Sequence, residues 1–142
     1  MNNIEVLKKV QEVLQQKFEE VSIKFLEDSI FDDVILNEIG IEPSGENYKS
    51  VGLGGFTEHE TESISFSINL VRKQEFKGDT LSLEQFLEEK DSIIELLYSE
   101  DLLGIDGIFR SFEIETEPLR FSHEEVAWDV WIYKIKVLGK VR

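Results

Sequence analysis

The chain has 142 residues, a formal net charge of −15, two prolines and no cysteine. This length holds one domain with a core of its own and leaves no room for two full ones. The missing cysteine excludes a disulfide framework, a thiolate metal site and a cysteine nucleophile. The acidity argues against direct nucleic-acid binding through phosphate contacts, which needs a basic surface.

Aromatic residues make up 11% of the chain, enough to predict a folded core rather than disorder. The first residues, MNNIEVLKK, lack a basic region followed by an apolar run, so no signal peptide is read. No apolar run approaches the ~20 residues of a membrane span. A soluble cytosolic protein with no membrane partner is the expectation. Three readings of the acidity stay open: solubility, an assembly surface for basic partners, or a decoy of the phosphate backbone.

In chain order, Asn3 to about Glu20 predicts a helix. Ile4, Leu7, Gln11, Leu14 and Phe18 share one stripe, which Val6, Val10 and Val13 widen. Val21–Glu27 alternates as a short strand, Asp28–Asp33 reads as a polar turn, and Val34–Ile41 is extended again.

Residues 43–60 form a long irregular segment containing Pro43 and Gly52-Leu53-Gly54-Gly55. Loops of this length are uncommon unless they are functional. Tyr48, Val51, Leu53 and Phe56 give the segment apolar points. Two readings fit: an arm that contacts a partner, or a hairpin that folds back.

Thr61–Lys73 is the plainest strand. Ile64, Phe66, Ile68 and Leu70 fall on one side, and Ser63, Ser65, Ser67 and Asn69 on the other. The following helix and the paired C-terminal strands are expected to cover its apolar side. That helix opens with Ser82 and Gln85 as a capping box, and Leu81 and Phe86 sit at staple positions. Its outer side, with Glu84, Glu88, Glu89, Asp91 and Glu95, is an acidic ridge, either a solvated face or a docking surface.

Ile108–Thr116 is the next predicted strand, Glu117–Glu125 a loop around Pro118, and Val126–Val137 the last strand. The last has apolar residues on both faces, which places it inside the sheet or at a subunit contact. The fold class is α+β in a single domain: a small mixed or antiparallel sheet with two main helices packed on one face.

No catalytic constellation emerges. His59 and His123 are the only histidines, each beside acids in a predicted loop, and they lack the helical spacing of a zinc pair. Gly52–Gly55 lacks the Lys-Ser/Thr of a phosphate loop, and Ser44 and Ser122 lack a nucleophile-elbow context. No carboxylate pair is singled out for glycoside chemistry. The expectation is a protein without catalytic activity, metal or cofactor.

The order of elements resembles the tail-terminator, or tail-completion, proteins of tailed bacteriophages. The resemblance rests on TESISFSINLVRK followed by SLEQFLEEKDSIIELL, and on IDGIFRSFEIETEPLRF leading to VAWDVWIYKIKVL. It implies a homo-oligomeric ring, usually a hexamer, that caps the tail tube and joins it to the head connector. It also implies the host bacterial cytoplasm before assembly and the virion tail or neck afterwards. Tyr48, Leu53 and Phe56 on the first loop, and Leu119 and Phe121 on the second, are then the expected interface residues. A different class competes: an acidic inhibitor, either an immunity protein or a DNA mimic, that blocks a basic enzyme site through the ridge from Glu84 to Glu95.

Overall fold

The computed structural model of the protein describes residues 2–52, 58–78, 80–98, 102, 107–122 and 127–142. Helix α1 spans Asn3–Leu14, strand β1 Val21–Ile23, helix α2 Leu26–Ile30 and strand β2 Asn37–Val51. Strand β3 spans Glu58–Gln74, helix α3 Leu83–Leu97, strand β4 Phe109–Phe121 and strand β5 Asp129–Val141. The strands form one mixed sheet in the order β1-β2-β3-β5-β4. Only β1 and β2 run parallel, joined through α2; the other pairs are antiparallel.

The alternation in β3 sets the layers. Ile64, Phe66, Ile68 and Leu70 are buried in the main core with Ile39 and Ile41 of β2 and Ile135 and Val137 of β5. Val6, Leu7, Val10, Val13 and Leu14 of α1 and Phe86, Ile93 and Leu97 of α3 join the same cluster. Each such side chain, fully buried, contributes about 1.5–3 kcal/mol of transfer free energy. Strand β5 lies beside β3 as its hydrogen-bonded neighbour, so the C-terminal pair extends the sheet and does not cover it.

A smaller cluster sits on the opposite parity of the same strands. Val71, Val130 and Ile132 are buried there, with Leu26 and Ile30 of α2 and Leu119, Phe121 and Trp128 packed on them. Apolar residues on both sides of β5 therefore reflect its interior place in the sheet.

Several predicted boundaries move. Helix α1 stops at Leu14, and the chain doubles back so that the Gln11 side-chain amide donates to the Val21 carbonyl at 2.9 Å. Ile4 is on the exposed side of α1. The polar turn at Asp28–Asp33 is in part helix α2, whose start is held by Leu26 N–H donating to Glu42 at 3.0 Å.

The long loop over residues 43–60 is mostly strand. Strand β2 runs through Pro43 to Val51 and pairs with β3 as far as Glu58. Strand β1 pairs with β2 only at Ile39–Ile41, so no outer strand needs the N–H that Pro43 lacks. The register shifts between Pro43 and Gly45, where Gly45 takes φ +134°, a conformation other residues rarely adopt. The expected loop at Glu117–Glu125 is also corrected, because β4 continues through Pro118 to Phe121. β4 is an edge strand, where a proline is tolerated.

Candidate interaction surface

The β2–β3 hairpin outruns the sheet. The last residue of β3 paired with β5 is Ser63, opposite Lys140. Beyond it, Tyr48–Val51 and Glu58–Thr61 pair only with each other. At about 3.3 Å per residue this two-stranded arm is roughly 13 Å long. Lys49 pairs with Glu60 at 3.6 Å across it, and the Tyr48 and His59 rings meet edge-on at 5.5 Å. Tyr48 is 56% exposed. Its hydroxyl donates to the Glu46 carboxylate, and that bond raises the phenol pKa above its ordinary value. His59 is thus on a strand and not in a loop. Leu53, Phe56 and His123 lie outside the described residues.

Leu119 and Phe121 are placed differently from Tyr48. Both are half-buried on the second cluster, beside Val130 and Ile132. Glu113, Glu115 and Glu117, also on β4, are exposed. They stand opposite Leu138, Lys136 and Lys134 of β5, and none is in an ion pair with another described residue.

Directly paired residues share a face of a sheet. The face opposite the main core therefore reads, row by row, Asn69–Lys134–Glu117, Ser67–Lys136–Glu115 and Ser65–Leu138–Glu113. The last two rows, with Lys134 from the first, line an open groove of about 620 Å³ with Ser44 at its side. Several polar groups on this face pair with one another, while the buried Asn69 Oδ1 has no hydrogen-bond partner among the described residues. The Ser44 and Ser67 hydroxyls lie 3.1 Å apart, Asn47 donates to Ser63 at 2.9 Å, and Glu42 accepts from Asn69 at 3.2 Å and sits 3.6 Å from Lys134. The serines lie beside other hydroxyls, amides and lysines, and no histidine is beside them among the described residues.

A second hollow, about 360 Å³, opens at the start of α3 between Asn37, Arg72, Ser82, Gln85 and Glu89. Arg72 forks onto Glu89 there, which neutralises the site. Of the expected capping box the Ser82 half is present, its hydroxyl accepting the Gln85 N–H at 3.3 Å.

A buried polar cluster ties α2 to the sheet. Lys73, 4% exposed, donates to the carbonyls of Ser29, Asp32 and Ile35. Burial lowers the pKa of this lysine, opposed by the charges of Glu38 and Asp32. Glu38 accepts from the Ser29 hydroxyl and pairs with Lys24 at 2.8 Å. Asp32 accepts the N–H groups of Val34 and Ile35, which hold its carboxyl below the ordinary range. Sequence reasoning passed over this cluster because its members are spread along the chain and surrounded by other charges.

Among the described residues, no group of three or more His, Asp or Glu side chains converges on a metal position, and no helix is long and apolar enough to cross a membrane. Comparison of the sequence with protein-family models and with curated proteins finds no match.

Proposed function

We propose that the protein is a structural virion-assembly component of the tail-terminator kind. In this reading copies of the chain close into a ring, with a hexamer as the expected size. The ring caps the tail tube and joins it to the head connector, and the chain catalyses nothing. It would occupy the host bacterial cytoplasm before assembly and the tail or neck of the particle afterwards.

The projecting arm of Tyr48–Val51 and Glu58–Thr61 carries the reading. It has a small share of the core, and it presents Tyr48 to solvent. A free monomer gains little from such an extension, whereas a neighbouring subunit can pack on it. Two further features support the reading. The order α1-β1-α2-β2-β3-α3-β4-β5 keeps the succession on which the resemblance rests, with α2 inserted. α1 and α3 contribute to the main core, and the part of the opposite face that α2 does not cover, together with the arm, is left for partners. Negative-stain electron microscopy of the purified protein tests the proposal. Closed rings of uniform size are expected, and a field of monomers, with tube protein present as well as absent, would contradict it.

The inhibitor reading has one observation in its favour: Glu84, Glu88 and Glu95 of α3 are exposed. Glu89 and Asp91 are taken up by Arg72 and Lys90, which thins the ridge. A monomer that binds a basic enzyme, with affinity falling steeply as salt rises, would favour this reading over the ring.

A further inference from the structure

We propose that the outer edge of β4 takes up an extended basic segment of another protein as an additional strand. Such pairing does not require a ring.

The sheet ends in β4 on one side, with no strand beyond it among the described residues. A long open edge is a template for pairing with another chain. The other side of the sheet offers a poorer one. Past Ile41 the outer edge of β2 is broken by register shifts at Pro43/Gly45 and Asn47/Tyr48. β4 keeps an unbroken register with β5 from Ser111 to Phe121.

Pro118 fixes which backbone groups are free. It cannot donate, so its pair with Tyr133 is a non-hydrogen-bonded one, and residues of its parity direct their N–H and C=O groups away from β5. Phe112, Ile114 and Thr116 thus present donors and acceptors outward. Pro118 itself closes one end of the edge, and the register shift between Phe109 and Ser111 closes the other. The open template is Ser111–Glu117.

Charge decides the occupant. Glu113, Glu115 and Glu117 project from one face of this template, exposed and in no ion pair with another described residue. A second copy is disfavoured. Two-fold antiparallel pairing of β4 with itself sets glutamate against glutamate in every register centred between residues 113 and 117. Centring on Glu115, for example, opposes Glu113 to Glu117. Like charges directly opposite destabilise a sheet. A strand with lysine or arginine at alternate positions extends each row with the favourable sign instead, giving Lys136–Glu115–cation and Lys134–Glu117–cation. Leu138, 43% exposed opposite Glu113, offers apolar surface to the methylenes of such a side chain.

The probe is an acetylated, amidated seven-residue peptide with lysine at every second position and threonine or valine between. Its affinity is read by fluorescence anisotropy, and amide exchange of the full chain by NMR. We expect slowed exchange at the Phe112, Ile114 and Thr116 amides on binding. The combined Glu113→Gln, Glu115→Gln and Glu117→Gln variant should weaken binding by on the order of tenfold and flatten its salt dependence. Thr116→Pro, at an exposed position, should remove an outward donor and lose binding while circular dichroism shows the fold intact. Binding that survives N-methylation of the peptide backbone would reduce the contact to charge alone and overturn the proposal. So would no binding, protection confined to other strands, or a self-dimer protected at β4.

Discussion

Arg120 and Asp129 grip each other diagonally across the β4–β5 pair, Nε to Oδ1 at 3.0 Å and Nη2 to Oδ2 at 2.8 Å. The guanidinium also lies over the Trp131 ring, 5.6 Å from its centroid. Asp129 accepts in addition from the Gln74 amide at 3.3 Å, and the Gln74 carbonyl oxygen accepts the Leu81 N–H at 3.2 Å. One chain of polar contacts thus joins the edge strand, two interior strands and the approach to α3.

That pair makes stability depend on pH in a defined sense. The hydrogen bonds from Arg120, opposed by burial, hold the Asp129 carboxyl below its ordinary value of 3.8. A carboxylate with a depressed folded-state pKa contributes stability that is present above the unfolded value and lost as pH falls through the folded one. The melting temperature of the wild type is therefore expected to drop below about pH 3.8 more steeply than that of Asp129→Asn. Parallel acid profiles for the two proteins would remove Asp129 from the account.

Phe109 packs over Gly139 so closely that a Cβ there would lie 2.4 Å from its ring. Phe109 in turn stacks on Phe66, with centroids 6.4 Å apart. Gly139→Ala is expected to cost about 1–3 kcal/mol in urea unfolding, because the ring must move. The cost should fall sharply in a Phe109→Ala background, since the two sites share one contact. Additive effects would show that the glycine serves another purpose.

Phe66, 1% exposed at the middle of the core side of β3, should lose about 3–5 kcal/mol on change to alanine. Lys73→Met is expected to cost about 1–3 kcal/mol, because the three carbonyls it serves are left without their donor. Hydrogen exchange distinguishes the two. Loss of Lys73 should speed exchange in Leu26–Ile30 first, whereas loss of Phe66 should lower protection across the sheet.

Tyr48→Ala should leave unfolding free energy within about 0.5 kcal/mol of wild type, since Tyr48 stands on the arm outside both core clusters. The same change is expected to weaken self-association in sedimentation experiments. A folded variant that associates as the wild type does would free the arm of any assembly role.

The sequence carried the parts of the fold that repeat. Two-residue alternation marked β3, the Ser82/Gln85 capping box marked the start of α3, and apolar residues on both sides of β5 marked its interior position. What it hid was set by tertiary neighbours. Pro43 and Pro118 read as loop formers, yet both sit where the sheet has no outer partner to demand their missing N–H. α2 has five residues, too few for a helical period to show. Of the expected interface residues, Tyr48 is exposed on the arm, while Leu119 and Phe121 rest on the second cluster. Apolar residues that cover a second core look the same in sequence as those that wait for a partner.

Sedimentation equilibrium of the full chain over a wide concentration range asks whether this molecule works through contacts between polypeptides. A discrete closed oligomer is expected, with mass that Tyr48→Ala shifts toward the monomer. A single monomeric species at every concentration, unchanged by tail-tube protein, would contradict it.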